Sequence, residues 1–457
     1  MDENISWKLI DIFFKDNKNF VVKHHLDSYN DFLDRGLPQI FREKNPITFW
    51  KEQDEDTKLY KYECNLYLGG LDGTRIYYGK PIIYDSHRQH YMFPNEARLR
   101  NMTYAITIHY DLDIKYKIIL DTGEIHEETK TIEKIFLGRI PIMLQSKHCI
   151  LNGMDSSVRF NMGECKDDYG GYFIIDGKEK VIVSQEKFGD NMLYIKDKVD
   201  DIYSHSVEIR SVSEDASKPI RTLSVRIVSE TSSEMNGQIV VIIPNVRMPI
   251  PLFILMRALG IISDKEIIQT CLLDLEKNKA MLELFRPSIH NAGFVFTKLQ
   301  ALKYISTFCK WKTISHVMEI LMLFLFPHIG ELNFKHKSLF LGHMVNKLLN
   351  AKVGNEEATF RDSYQYKRIE TSGMLLYGLF KEYFTLLHRN IYLRTDEQYN
   401  YSRQRYQDIK FLNIIEDNED KIFGEKIVND GFRKAFKGNW GAEKHTKSPG
   451  VIQDLNR

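Results

Sequence analysis

The chain has 457 residues, 43% of them hydrophobic and 12% aromatic, enough apolar material for two or three domains rather than one ordinary core. Its 63 Lys and Arg nearly balance 62 Asp and Glu, which excludes a polycation that coats nucleic acid over its whole surface and makes any such contact local. Five cysteines, at positions 64, 149, 165, 271 and 309, are odd in number, scattered and without a C-x-x-C pair, so neither a disulfide framework nor a zinc knuckle is indicated.

In chain order, the opening MDENISWKLIDIFF starts with acids and lacks the basic flank and cleavage site of a secretory signal. From Ser6 to Leu33 apolar residues recur at helical spacing (Trp7, Ile10, Phe13, Phe14), until Gly36, Pro38 and Pro46 break the pattern. Residues 58–145 are rich in Tyr, Ile and Thr, with turn signals at GGLDG (69–73) and DTGE (121–124), and predict an antiparallel region. GGYFIIDGKEKVIVSQE (170–186) reads as a hairpin around Asp176-Gly177. Around Phe188 the texture changes: HSVEIRSV and TLSVRIVSE flank the polar tip SEDASKP, and helical patterns follow from Pro251 to Leu349, as in a second, mixed domain. Residues 349–365 are polar and loop-like, and 373–393 carry a helical stripe through Leu376, Phe380, Phe384 and Leu387 that begins a third segment. The longest apolar run, Ile320 to Phe326, is far short of the roughly 20 residues a spanning helix needs, so a soluble intracellular protein with no membrane partner is expected.

Few constellations carry chemistry. There is no G-x-x-x-x-G-K-[ST], no G-x-G-x-x-G opening a helix and no G-x-S-x-G elbow, so neither a nucleotide loop nor a nucleophilic triad is indicated. Asp111 and Asp113 have the D-x-D spacing that on a strand points both carboxylates to one face, where they could share a magnesium ion; the solvent face of an amphipathic strand is the stronger reading. Asp167-Asp168 before Gly-Gly reads as a turn, and His148, Cys149 and Cys165 lack a fourth ligand at zinc spacing. In FPNEARLRNMTY (93–104), Glu96, Arg98 and Arg100 are expected to pair with other charges rather than with phosphate. The segment from Arg433 to Arg457 is basic and punctuated by Gly438, Gly441 and Gly450, by composition equally a loop made to lie against phosphates or an ordinary solvated loop, and Trp440 offers it an anchor or a stacking plane.

Several stretches together resemble one family, the second-largest (beta-type) subunit of multisubunit DNA-directed RNA polymerases. FPNEARLRNMTY is similar to its Y-P-x-E-A-R-L-R-N-L-T-Y segment, FLGRIPIMLQSKHC (136–149) to G-x-x-P-I-M-L-x-S-x-x-C, and GGYFIIDGKEKVIVSQE to G-G-Y-F-I-I-N-G-x-E-K-V-L-I-A-Q-E. PIPLFILMRALGI (249–261), RDSYQYKRIETSGMLL (361–376) and GNWG through GVIQDLNR follow in order. The resemblance runs from about Ser6 to Arg457 and leans to the eukaryotic and large-DNA-virus branch. Gln145 stands where an arginine is common, and IETSG replaces L-D-L-A-G, which makes the local contacts there the ones to inspect.

The resemblance implies an α+β, multidomain fold of mixed antiparallel sheets with helices: a protrusion from residues 1–187 and again 356–437, a lobe at 188–355, and the start of the fork at 438–457. It implies the N-terminal part of a nucleotidyltransferase subunit that lines the DNA cleft, with the downstream half of the subunit, the largest subunit, other polymerase subunits, the DNA template and the RNA–DNA hybrid as partners. By the same resemblance the catalytic Mg2+ is held by the largest subunit, so no catalytic or metal residue is expected here and the chain alone is expected to make no RNA. Lys180, Lys434, Lys444 and Lys447 are expected near backbone phosphates, and Gln453, Asn456 and Arg457 on the RNA side of the hybrid. The nucleus, or host cytoplasm and virion for a viral member, is the compartment implied. The alternative is a non-catalytic module that keeps protrusion and lobe to bind DNA or transcription factors.

Overall fold

The computed structural model describes residues 3–17, 19–53, 58–85, 88–120, 124–214, 218–230, 236–424, 426–442 and 450–455. Two compact units emerge, one formed by Met1–Glu186 with Ile369–Arg457 and the other by Lys187–Arg368. Both combine antiparallel sheets with helices, an α+β architecture.

In the first unit the Tyr-, Ile- and Thr-rich region becomes one sheet whose spine is the strand Ala105–Ile119. One edge of this strand pairs with Ile125–Pro141 along its length; the other pairs first with Ile76–Gly79 and then with Tyr60–Leu68, which passes the ladder on to Ile47–Gln53. Such strands are stable because β-branched and aromatic side chains pack well on a pleated surface. Helices Leu37–Lys44 and Ser372–Tyr401 supply the opposing layer: the Phe41 ring lies 4.5 Å from Phe384 and 5.8 Å from Tyr110. Phe411 closes the far end of this core, 4.8 Å from Tyr62.

The helix read at 373–393 runs from Ser372 to Tyr401. Its added turns are held by tertiary contacts, with Tyr399 buried and its hydroxyl donating to Glu52 at 3.1 Å. Its first turn rests on helix Lys23–Asp31, and here the unusual IETSG residues find their use. Thr371 and Ser28 share a hydroxyl–hydroxyl hydrogen bond of 2.6 Å, and the Gly373 N–H donates to Ser28 Oγ at 2.8 Å. The N-terminal periodicity also forms a helix, Glu3–Asp16, but Trp7, Ile10, Phe13 and Phe14 on it are all exposed.

The expected hairpin is Phe173–Ile175 paired with Lys178–Ile182, in register Ile175↔Lys178. Asp176 and Gly177 both have positive φ, 47° and 78°, the conformation a two-residue turn needs to match strand twist. The GGLDG turn likewise has positive φ at Gly69, Gly70 and Gly73, while part of DTGE lies outside the described residues.

The second unit begins with an antiparallel meander, Leu193–Asp197, Tyr203–Ser211, Arg221–Val228, Ile239–Ile242 and Ile250–Pro251, each strand paired with the next. Helices Leu252–Leu259, Asp264–Leu272, Lys298–Ser306, Ile314–Leu323 and Phe334–Val353 build a core over it. Leu252–Leu259 is buried on every side, including Arg257, whose guanidinium donates to the carbonyls of Ala292 and Val295 and pairs with Asp264. Residues 356–368 pack with this unit: Thr359 N–H donates to Ile195 O at 2.9 Å, and Ile195 N–H returns a bond to Thr359 Oγ1 at 3.0 Å. No described helix is long and apolar enough to cross a membrane.

Candidate nucleic-acid interface

The D-x-D carboxylates do not form a solvent face. Strand Ala105–Ile119 is buried on both faces from Tyr110 to Ile114, and Asp111 and Asp113 are only 5% and 8% exposed. A bulge explains the failure of alternation: the register with Ile125–Pro141 shifts between Tyr110 and Leu112, and Lys134 opposite takes φ 55°. Each carboxylate oxygen there has a donor. Asp111 accepts from the Tyr77 hydroxyl at 2.8 Å and the Lys134 N–H at 3.0 Å; Asp113 accepts from the Thr131 hydroxyl at 2.9 Å and from the Arg75 guanidinium. With every oxygen engaged by a donor and the Arg75 guanidinium beside them, the two carboxylates serve as buried structural acceptors. Among the described residues no group of three or more His, Cys, Asp or Glu is placed to hold a metal ion.

The charges of FPNEARLRNMTY pair within the first unit. Arg98, at the end of helix Pro94–Leu99, donates to both oxygens of Glu164 at 2.9 Å, to Glu179 at 2.7 Å and to the Tyr172 hydroxyl at 2.8 Å. Its partners Glu164 and Glu179 come from distant segments, so one guanidinium ties the helix to the hairpin. Glu96 serves His90 at 3.1 Å and Arg100 at 3.2 Å. Cys149 is buried, with its thiol pushed up by burial and the Tyr104 hydroxyl 3.5 Å away, while Cys165 is exposed. Gln145, with φ 63°, uses its side chain on Asn19 and the Asp168 carbonyl.

Three of the residues expected to face nucleic acid lie on neighbouring elements. The strand Ile452–Asp454 adds a third strand to the hairpin, in register Asp454↔Lys180, Gln453↔Val181 and Ile452↔Ile182. Lys180 is largely covered, and its ammonium pairs with Asp454 at 2.8 Å, which holds that carboxyl below the usual range. Gln453, one residue along, is exposed. Lys434 sits in the last turn of helix Ile427–Phe436, exposed and without an ion-pair partner among the described residues. That helix docks on the hairpin through Phe436, whose ring lies 5.0 Å from Phe173. Lys444, Lys447, Asn456 and Arg457 fall outside the described residues.

One reading of this end changes, and of the two roles open to Trp440 one is selected. Arg433 and Lys434 belong to a helix rather than to a loop, because Val428, Phe432, Ala435 and Phe436 form an apolar stripe that the core accepts. Trp440 is buried, 6.1 Å from Phe436, and so anchors the helix instead of offering a stacking plane. The basic side chains that sequence reasoning passed over are Lys178, exposed beside the hairpin turn, and Arg139, exposed near the end of its strand. Both lie inside stretches that carry the family resemblance, but nothing in their local pattern marks them.

A family model described as RNA polymerase beta subunit matches residues 20–414. The chain is 32% identical to the DNA-directed RNA polymerase II subunit RPB2 of Eremothecium gossypii, an alignment covering 99% of this chain and 37% of that protein. It is 31% identical to DNA-directed RNA polymerase II subunit 2 of Arabidopsis thaliana, over 100% of this chain and 39% of the relative. With the archaeal DNA-directed RNA polymerase subunit Rpo2 of Saccharolobus shibatae it shares 30% identity, over 100% of this chain and 37% of the relative. The chain thus spans somewhat over a third of the length of these curated relatives. With its ordered sequence blocks and a family match over most of its length, this chain belongs to the RNA polymerase beta-subunit family.

Proposed function

We propose that this chain works as the N-terminal part of the second subunit of a DNA-directed RNA polymerase, forming a wall of the DNA cleft and contacts to the hybrid during template-directed RNA synthesis. The observation that carries this reading is the family match over residues 20–414. On this reading residues 1–187 and 356–437 are the protrusion, 188–355 the lobe, against which residues 356–368 of the returning chain pack, and 438–457 the start of the fork, and the largest subunit and the rest of the second subunit are the principal partners. Catalytic Mg2+ belongs to the largest subunit on this reading. The chain's own part is to position template and hybrid through backbone contacts, which orient without reading sequence.

Lys434, Lys444 and Lys447 are the proposed phosphate contacts, with Gln453, Asn456 and Arg457 toward the RNA. Lys180 is already paired with Asp454, so its contribution to phosphate binding should be smaller than that of Lys434, which has no ion-pair partner among the described residues. The test is template binding by an assembled polymerase in which Lys434, Lys444 and Lys447 are all changed to Ala. The salt slope should shrink by roughly 0.7 to 0.9 per lost contact, with promoter preference unchanged. An unchanged slope in a complex shown to be intact would remove the phosphate assignment.

A further inference from the structure

A cavity of about 280 Å3 opens in the first unit where helix Ile427–Phe436 meets the ends of strands Ala105–Ile119 and Ile125–Pro141 and the hairpin turn. Its lining includes the apolar side chains of Met92, Met102, Ile175 and Phe436 and two arginines, Arg139 and Arg433. The gap is not slack in the docking of the helix. At Gly138 an added Cβ would sit 3.0 Å from the Asn429 backbone nitrogen, and the Arg139 N–H donates to Asn429 Oδ1 at 3.3 Å, so the helix is already as close to the strand as the backbone permits.

The charge balance of the cavity is set by which groups are already engaged. Asp176, the carboxylate in the lining, accepts from the Thr103 hydroxyl at 3.2 Å and pairs with Lys437 at 2.7 Å, and the Lys437 hydrogen bond holds it below the usual carboxylate range. Lys437 is the main partner of Asp176, with Arg433 adding a smaller pull on the same carboxylate. Arg139 and Arg433 are exposed and, among the described residues, neither has an ion-pair partner. One carboxylate facing Lys437, Arg433 and Arg139 leaves the cavity with excess positive charge beside apolar side chains, a setting that suits a group with both an apolar and an anionic part. A volume of about 280 Å3, at the small end of ligand sites, has room for one large side chain. Arginine beside a pocket that takes an aromatic anchor is also the composition of interface hot spots.

We propose that this cavity is a docking site for an acidic peptide segment of a protein partner, which seats one aromatic side chain on Met92, Met102, Ile175 and Phe436 and sets flanking carboxylates on Arg139 and Arg433. The assignment stands apart from the phosphate contacts and does not depend on them. The probe is a fluorescein-labelled synthetic peptide with one Trp flanked by Asp pairs, titrated into the full chain. Binding is read by anisotropy and its location by the methyl resonances of Met92 and Met102.

Saturable binding that shifts both methyl resonances is expected. It should weaken at least tenfold when Asn replaces every Asp in the peptide, when Ala replaces its Trp, and in the Arg139→Gln, Arg433→Gln double variant. The other methionine resonances report whether that variant is folded, and the peptide series needs no variant at all. Equal binding of the Asn or Ala peptide, or no shift at Met92 and Met102, overturns the proposal. A single-stranded oligonucleotide that displaces the peptide and moves the same two methyls more strongly also overturns it, in favour of nucleic acid.

Discussion

At the residue scale, what matters is whether a polar group is engaged or stranded. His388 is the clearest stranded one: its Nε2 is buried without a hydrogen-bond partner, its ring sits 4.5 Å from Phe384, and burial, with Lys44 adding a smaller push, lowers its pKa to about 4. The unfolded value is about 6.5, so the folded state holds fewer protons than the unfolded state between these limits. Stability from this group is complete above pH about 6.5 and is lost as pH falls toward 4. His388→Phe removes this pH dependence. Between pH 7 and pH 5 the natural protein should lose about 2 kcal/mol more than the variant, read from urea midpoints at the two pH values. Identical losses would show that His388 is already solvated in the fold.

At the element scale, the long helix Ser372–Tyr401 contains two glycines with opposite consequences. A Cβ at Gly373 would lie 1.9 Å from the Ser28 carbonyl oxygen, whereas at Gly378 it meets nothing within 4 Å. Gly373→Ala should push helix Lys23–Asp31 away and destabilise by about 1–3 kcal/mol, while Gly378→Ala should stabilise by up to about 1 kcal/mol through helix propensity. Thermal midpoints moving in opposite directions would support this packing; a neutral Gly373→Ala would contradict the close contact. The helical period at 373–393 was legible because Leu376, Phe380, Phe384 and Leu387 repeat along one face. Its extension to Tyr401 was not, since residues 394–401 are mostly polar and the helix there depends on Tyr399 meeting Phe49 and Phe411.

At the scale of the whole molecule, the second unit has the features of an independently folding insertion. Its two ends meet, with Gly189 N–H donating to Tyr366 O at 2.7 Å, and its core of Val207, Val225, Phe253, Phe285, Leu341 and Met344 is closed within Lys187–Arg368. Domains with their own core and adjacent termini generally fold alone. A polypeptide of residues 187–368 should therefore give a cooperative thermal transition and dispersed amide resonances. A compact state that binds hydrophobic dye and melts without cooperativity would mean that the unit borrows stability from the rest of the chain.

Some features needed only neighbouring residues. Asp176-Gly177 sets a two-residue turn by its tolerance of positive φ, alternation and β-branching set the strands of 58–145, and the ordered motifs set the family. These depend on local sterics or on residue identity along the chain, and both can be read without coordinates. The fate of charge could not be read in that way. Asp111 and Asp113 alternate with apolar residues as a solvent face would, yet a bulge and Arg75, Tyr77 and Thr131 turn them into buried acceptors. Lys180 is one more surface lysine by pattern, but the register of strand Ile452–Asp454 gives it Asp454. Arg139 and Arg433 are separated by most of the chain, and only the packing of helix on sheet brings them to one cavity. A charge is settled by whichever distant group arrives beside it, and that arrival is a property of the tertiary structure alone.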